Sequence, residues 1–165
     1  KDMGPFTIRY PRGIGVYPDW KNEFELIQVG KGRVVNKGKD VAILSFGHPG
    51  NFVVEATKKL QVDGVNPSHY DIRFVKPLDE ELLHHIFSTY KKIITVEDGC
   101  LQGGFGSAII EFMVDNNYSS VVKRLGIPDE FIEHGTPEQL QTECHFDSDA
   151  IIATVKEMVD SKVLS

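Results

Sequence analysis

Short strand-like segments alternate along the chain with segments whose apolar residues recur at helical spacing. The strand-like segments cover residues 41–46, 69–75, 92–96 and 119–126. The first of them, 41–46, is an apolar run of strand length, which predicts a strand that is buried on both faces. Helical segments fill the gaps between them, which indicates right-handed crossovers between parallel strands. The pattern therefore predicts an α/β fold built on a mostly parallel sheet.

Three helices are predicted between these strands, and two more follow the last strand. They cover residues 48–60, 77–90, 103–117, 136–143 and 148–159. In the second helix Asp79 is a plausible N-cap, and Glu80 and Glu81 follow in the first turn, where the helix dipole favours acids. The N-terminal region is less regular. A strand is predicted at 5–10, an extended crossing segment at 14–25, and one or two short strands within 26–40.

Two acids and three glycines stand at the junction between the third predicted strand and the third helix. Glu97 and Asp98 follow the strand, and Gly103, Gly104 and Gly106 begin the helix. The glycines could bring backbone N–H groups to an anion, or they could let the helix pack tightly against a neighbouring backbone. Tight packing is favoured because the pattern is not a dinucleotide or P-loop motif and the acids would repel a phosphate. Glu97 and Asp98 are accordingly expected to orient backbone N–H groups, or cations across an interface.

Three arginines are the cationic candidates for a binding site. Arg9 and Arg12 flank the end of the first predicted strand, and Arg73 lies within the strand at 69–75. A guanidinium in a buried strand is costly unless it is paired or binds an anion, and its planar shape suits phosphate. The residues alone leave both alternatives open for Arg73: a phosphate ligand, or a structural ion pair with Asp71 or Glu97.

Composition, charge and the absence of long apolar runs make several functional classes less favoured. The net charge is −6, which disfavours a duplex nucleic-acid binder. No apolar run approaches the ~20 residues of a membrane span, and no signal peptide is recognisable. Two cysteines, Cys100 and Cys144, do not make a disulfide framework. We expect a cytoplasmic protein with reduced thiols. Because the chain starts with Lys1 and soon enters a strand-like segment, we also expect it to be a piece of a longer protein.

The histidines supply no metal or catalytic arrangement. His84 and His85 are adjacent on one predicted helix and point to different faces. His48 lies at a strand-to-helix turn, where a turn-capping role is favoured over ligand contact, and His134 lies in a loop and is open to either interpretation. No cluster has metal-ligand spacing, and no nucleophile elbow can be assembled. No catalytic residue and no metal site are predicted.

Five segments together resemble the C-terminal part of the 1-deoxy-D-xylulose-5-phosphate synthase family, which are thiamine-diphosphate enzymes of the transketolase type. They are RYPRG at 9–13, GKGRVVNKGKDVAILSFG at 30–47, DIRFVKPLD at 71–79, TVEDGCLQGGFGSA at 95–108 and LGIPDEFIEHGT at 125–136. The resemblance implies three parts: residues 1–16 as the tail of a preceding pyrimidine-binding domain, 17–28 as a linker, and 29–165 as a transketolase C-terminal-like domain. It also implies a five-stranded sheet with one antiparallel strand and helices on both faces.

The resemblance also implies an activity for the full-length enzyme. Such enzymes condense pyruvate with D-glyceraldehyde 3-phosphate and release CO2, and their product feeds isoprenoid, thiamine and pyridoxal precursor synthesis. Their phosphate-binding arginines correspond here to Arg9 and Arg73, with Arg12 beside them. For Arg73 the resemblance therefore favours phosphate binding over a structural ion pair. A homodimer is implied. Candidates for its interface, or for a structural role, are Glu97, Asp98, Gly103 and Gly104.

The chain lacks the Gly-Asp-Gly…Asn motif that holds thiamine diphosphate and Mg²⁺, and it lacks the segment with the cofactor-activating glutamate. We therefore expect this piece to hold no cofactor and to be inactive alone. Two other interpretations stay open. One is the third domain of a transketolase or of a 2-oxo-acid dehydrogenase β subunit, and the other is a non-catalytic dimerisation or binding module.

Overall fold

A computed structural model describes residues 25–161, together with isolated positions 7, 10, 11, 15, 21 and 23. The strands are β1 (Arg33–Asn36), β2 (Ala42–Phe46), β3 (Ser68–Asp71), β4 (Lys92–Cys100) and β5 (Val121–Ile127). The helices are α1 (Gly50–Val62), α2 (Glu80–Thr89), α3 (Phe105–Asp115), α4 (Pro137–Glu143) and α5 (Ser148–Asp160). The strand predicted at 5–10 lies outside the described residues apart from two positions, and so does half of the linker at 17–28.

The strands form one five-stranded sheet in the order β1-β3-β2-β4-β5. Strands β2, β3, β4 and β5 run parallel, and β1 pairs antiparallel with β3 at one edge. The predicted fold class is therefore confirmed, including the single antiparallel strand. Because the parallel strands share a direction, their carboxyl ends meet at one edge of the sheet.

Helices cover both faces of the sheet because the central strands are apolar on both sides. Ile43 of β2 packs in the cluster formed with α1 and α5, whereas its neighbour Leu44 packs in the cluster formed with α2 and α3. Both side chains are fully buried. The apolar run at 41–46 is thus buried on both faces, as predicted. This burial explains why apolar and polar residues do not alternate along the strand.

The largest differences from the predicted strands are at the ends of β3 and β4, which lie at the carboxyl edge of the sheet. Strand β3 ends at Asp71 rather than 75, so the prediction that Arg73 lies within a strand was wrong. The chain turns there: Phe74 donates its N–H to the carbonyl of Ile72 at 2.6 Å, and Arg73 has φ 60°. Strand β4 instead continues through Glu97 to Cys100, because Cys100 still pairs with β5.

Asp79 is the N-cap of α2, as predicted, and also ties the chain before β1 to that helix. Its carboxylate, 6% exposed, accepts the N–H of Leu82 at 3.2 Å and the N–H of Gly32 at 3.0 Å. The ammonium of Lys31 lies 3.2 Å from it. One buried side chain thus satisfies donors from two segments.

Replacing Asp79 by alanine should lower the free energy of unfolding by about 2–4 kcal/mol, because a helix cap and a second backbone donor lose their acceptor. Urea denaturation of the 165-residue chain measures this. Glu81→Ala is the matched control, since Glu81 also contacts Lys31, at 2.9 Å, but is 87% exposed. That exposed contact should contribute less than about 1 kcal/mol. Equal losses of unfolding free energy for both variants would contradict the conclusion that Asp79 joins the two segments.

Candidate functional site

The carboxyl ends of β2, β3 and β4 carry the polar residues that the sequence pointed to. His48 follows β2, Arg73 follows β3, and Glu97 and Asp98 lie in the extension of β4. In open parallel sheets this edge is where ligands bind. The neighbouring order β3-β2-β4 places these residues along one side of the molecule.

Glu97 caps the N-terminus of α3 with its carboxylate. One oxygen accepts the N–H of Phe105 and the other accepts the N–H of Gly106, both at 2.7 Å. The side chain is only 3% exposed. The N–H groups that could have bound a phosphate are therefore occupied by an internal anion.

The glycines before α3 serve two different needs. A Cβ at Gly104 would lie far inside van der Waals contact of the Cys100 carbonyl oxygen and of the Glu97 carboxylate. Gly103 has open space around its Cα but a φ of +72°, which favours glycine. Close packing, the favoured alternative, thus explains the need for glycine at Gly104. At Gly103 the turn conformation explains it.

Asp98, the next residue along β4, has a different partner from Glu97. Its carboxylate lies 3.6 Å from the Nδ1 of His48. The His48 ring also meets Phe52 edge-on, with ring centroids 5.8 Å apart. His48 therefore makes side-chain contacts with β4 and with α1.

A cleft of about 330 Å³ opens between β4 and the start of α3. Its walls include Phe46, Glu97, Asp98, Gly104 and Phe105. None of the described residues that line it is a lysine or an arginine. The local charge is acidic, so this cleft does not suit a phosphate.

Arg73 lies on the β3 side of this edge and is 28% exposed. Its Nε is 3.8 Å from the Oδ2 of Asp71, too far for a hydrogen bond. In the part of the chain that the structure describes, its guanidinium donates no hydrogen bond. Of the structural partners considered from the sequence, Asp71 is the one nearby, and that contact is weak.

Arg33 of β1 also reaches Asp71, although no motif in the sequence singles it out. Its Nε donates to the same Oδ2 at 3.0 Å. The antiparallel register places Arg33 directly opposite Asp71. Only knowledge of this pairing brings the two side chains together, since they are 38 positions apart.

The remaining candidates are dispersed. Arg9 and Arg12 lie outside the described residues. His134 is exposed in the segment after β5. The thiol of Cys100 is 3.7 Å from the Oδ1 of Asp129, and Cys144 is buried. Among the described residues, no three His, Cys, Asp or Glu side chains group closely enough to hold a metal ion. None of the described helices has the length and apolar character needed to cross a bilayer.

His69 of β3 is a buried histidine beneath this edge. Its Nε2 is 2.8 Å from the hydroxyl of Ser45, and the residue is 1% exposed. Burial, assisted by the positive charge of Arg33, lowers the pKa of His69 from 6.5 to about 4. The folded protein therefore keeps this ring neutral where the unfolded chain would protonate it.

Acidification should therefore destabilise the protein through His69. The stabilisation is complete above pH 6.5 and is lost as pH falls toward about 4, by a total on the order of 3 kcal/mol. Urea denaturation at a series of pH values measures the slope. His69→Asn should flatten it, whereas His85→Asn, at an exposed position of α2, should not. The same slope in the wild type and in His69→Asn would contradict the assignment.

Comparison with known proteins identifies the family of this fold. A model of the transketolase C-terminal domain matches residues 30–151. The chain belongs to this family. It is 60% identical over 158 residues to a 1-deoxy-D-xylulose-5-phosphate synthase of Cytophaga hutchinsonii and 51% identical over 151 residues to that of Bacteroides thetaiotaomicron. These matches cover 96% and 91% of this chain but 25% and 23% of the relatives. The resemblance found in the motifs is thus confirmed, and the chain spans about a quarter of the relatives' length.

A solved structure shows the same fold. A split-gene transketolase, described as an inactive β4 tetramer, superposes with a TM-score of 0.74 at 29% sequence identity. The alignment covers 86% of this chain and 45% of that one. Within this transketolase C-terminal domain, Arg73 follows β3 at the carboxyl edge of the sheet, and Glu97 caps α3.

Proposed function

We propose that the full-length protein condenses pyruvate with D-glyceraldehyde 3-phosphate, with loss of CO2, to give 1-deoxy-D-xylulose 5-phosphate. The observation that carries this is the 60% identity, over almost the whole chain, to a protein with that synthase name. Thiamine diphosphate and Mg²⁺ would supply the carbanion chemistry when bound. We assign the cofactor to the part of the full-length protein outside this chain, because this sequence carries no Gly-Asp-Gly…Asn motif.

Substrate preference tests this proposal against the transketolase alternative, which the 29% identical neighbour keeps open. Full-length protein with thiamine diphosphate and Mg²⁺ would be given pyruvate plus D-glyceraldehyde 3-phosphate, or a ketose phosphate donor plus an aldose phosphate. NMR identifies the products. We expect 1-deoxy-D-xylulose 5-phosphate from the first pair and no turnover of the second. Two-carbon transfer from the ketose donor alone would overturn the proposal.

This piece by itself is proposed to be inactive, cytoplasmic and self-associating. Support for inactivity and association comes from the structural neighbour, whose own chain is described as an inactive tetramer. Both cysteines are free thiols, which suits a reducing compartment. Sedimentation of the 165-residue chain should show a dimer, and the chain should release no CO2 from pyruvate. A monomer at all concentrations would contradict the dimer contacts proposed for it.

Within the full-length enzyme, Arg73 is proposed to bind the phosphate of the aldehyde substrate, together with Arg9 and Arg12. The support is local. Arg73 lies at the ligand-binding edge, is held in a left-handed conformation of the kind that clusters at functional sites, and has a half-buried guanidinium without a hydrogen-bond acceptor among the described residues. An anion would satisfy those donors.

Arg73→Gln should raise KM for D-glyceraldehyde 3-phosphate about 10- to 100-fold, the loss of one charge-assisted hydrogen-bonding partner. KM for pyruvate should change little. Steady-state kinetics on the full-length enzyme measures both values. Unphosphorylated D-glyceraldehyde is the control substrate, whose KM should not respond to the substitution. Equal effects on pyruvate and on the phosphorylated aldehyde would make Arg73 structural.

A further inference from the structure

Three charged side chains meet where the start of β1 pairs with the end of β3. The Oδ2 of Asp71 accepts the Nε–H of Arg33 at 3.0 Å and lies 3.8 Å from the Nε of Arg73. The two arginine Nε atoms are therefore no farther apart than the sum of these distances. Asp71 is 19% exposed, Arg73 28% and Arg33 58%.

The two arginines compete for one carboxylate oxygen. Arg33 holds it at hydrogen-bond distance, and Arg73 stands just beyond that distance. Two guanidinium groups and one carboxylate leave a formal surplus of one positive charge. Since Asp71 already has a partner, that surplus resides on Arg73.

Hydrogen bonds hold the backbone on both sides of Arg73. Ile72 donates its N–H to the carbonyl of Ser45 at 3.0 Å, and Phe74 donates to the carbonyl of Ile72 at 2.6 Å. The residue between them therefore has its Cα held from both sides. The side chain of Arg73, and not its backbone, is therefore what can change partner, between Asp71 and a bound anion.

We propose that Arg33 is a positioning residue for the phosphate site. By holding Asp71, it prevents that carboxylate from forming a two-pronged ion pair with Arg73, which would neutralise the guanidinium and turn it away from a phosphate. Arg33 acts through Asp71 and does not itself touch the substrate. This inference rests on the phosphate role proposed for Arg73.

Steady-state kinetics of the full-length enzyme test the inference. Arg33→Gln frees Asp71 to capture Arg73, so KM for D-glyceraldehyde 3-phosphate should rise about three- to fivefold, the size of one partly exposed ion pair. The kcat and the KM for pyruvate should stay unchanged. Arg33→Lys, which keeps a cation near Asp71, should restore most of the affinity. Lys59→Gln is the control, because Lys59 lies in the last turn of α1, away from this edge.

Asp71→Asn separates positioning from direct contact. In that background no carboxylate competes for Arg73, so adding Arg33→Gln should cause no further rise in KM. An equal rise with and without Asp71, or no rise for Arg33→Gln, would overturn the inference. If Arg73→Gln raises the phosphorylated-aldehyde KM while Arg33→Gln does not, the inference alone fails. If Arg73→Gln shows no selectivity, the phosphate role of Arg73 fails, and the inference falls with it.

Discussion

Replacing Glu97 by alanine is expected to lower the free energy of unfolding by about 3–5 kcal/mol, because two buried N–H groups lose a charged acceptor. The carboxylate accepts the N–H groups of Phe105 and Gly106 at 2.7 Å each and is 3% exposed. Without it, the N-terminus of α3 is left unsatisfied inside the protein. Urea denaturation of the 165-residue chain, with the slope checked for two-state behaviour, measures the loss.

Two further variants isolate the cause. Glu97→Gln keeps one acceptor oxygen but turns an amide NH2 toward the second N–H, so it should lose about half as much. Glu111→Ala removes an exposed acid from the same helix and should cost less than about 0.5 kcal/mol. A loss for Glu97→Ala no larger than that for Glu111→Ala would show that the cap does not stabilise α3.

The second large effect is expected at Gly104. An alanine there should destabilise the protein by about 3 kcal/mol or more, because its methyl group would overlap the main-chain oxygen of Cys100, which is fixed in the β4–β5 pairing. The backbone itself is not strained, since φ is −84°. The cost is therefore purely one of space, and thermal and urea denaturation measure it.

The neighbouring glycine is a matched control. Gly103→Ala meets no atom within 4 Å but must adopt a φ of +72°, which should cost about 1 kcal/mol. The predicted order is a larger loss at Gly104 than at Gly103. The reverse order would mean that conformation, and not packing, requires the glycines at this junction.

The sheet and its helices could be predicted because burial on both faces leaves a direct mark on the sequence. The run at 41–46 is apolar apart from Ser45, and the structure buries it on both faces of the sheet. The antiparallel β1 was implied by family resemblance. Its residues Val34 and Val35 are 44% and 41% exposed, so its own pattern carries little burial signal.

The role of Glu97 was only half accessible from sequence. Alternation along β4 puts Ile93, Thr95 and Glu97 on one face, and Ile93 packs against α2 and α3. The sequence indicated only that Glu97 and Asp98 orient backbone N–H groups, or cations across an interface, and it did not separate the roles of the two acids. Which N–H groups Glu97 accepts depends on the three-dimensional return of the chain after Gly104, which no local pattern specifies.

The surroundings of Arg73 depended on long-range pairing. The sequence placed it in a strand and left two partners open. The turn after Asp71 and the approach of Arg33 from an antiparallel edge strand decide its environment. Neither has a local signal: positive φ at an arginine is uncommon, and strand register is set by tertiary contacts.

The function proposed for the full-length protein requires that it recognise the phosphate of its aldehyde substrate. The most direct measurement is kcat/KM of the full-length protein, with pyruvate as donor, for D-glyceraldehyde 3-phosphate and for unphosphorylated D-glyceraldehyde. We predict a preference for the phosphorylated aldehyde on the order of tenfold or more, since charge-assisted hydrogen bonds to the phosphate are lost with the other substrate. Equal kcat/KM values for the two aldehydes, or no condensation with pyruvate, would contradict the account.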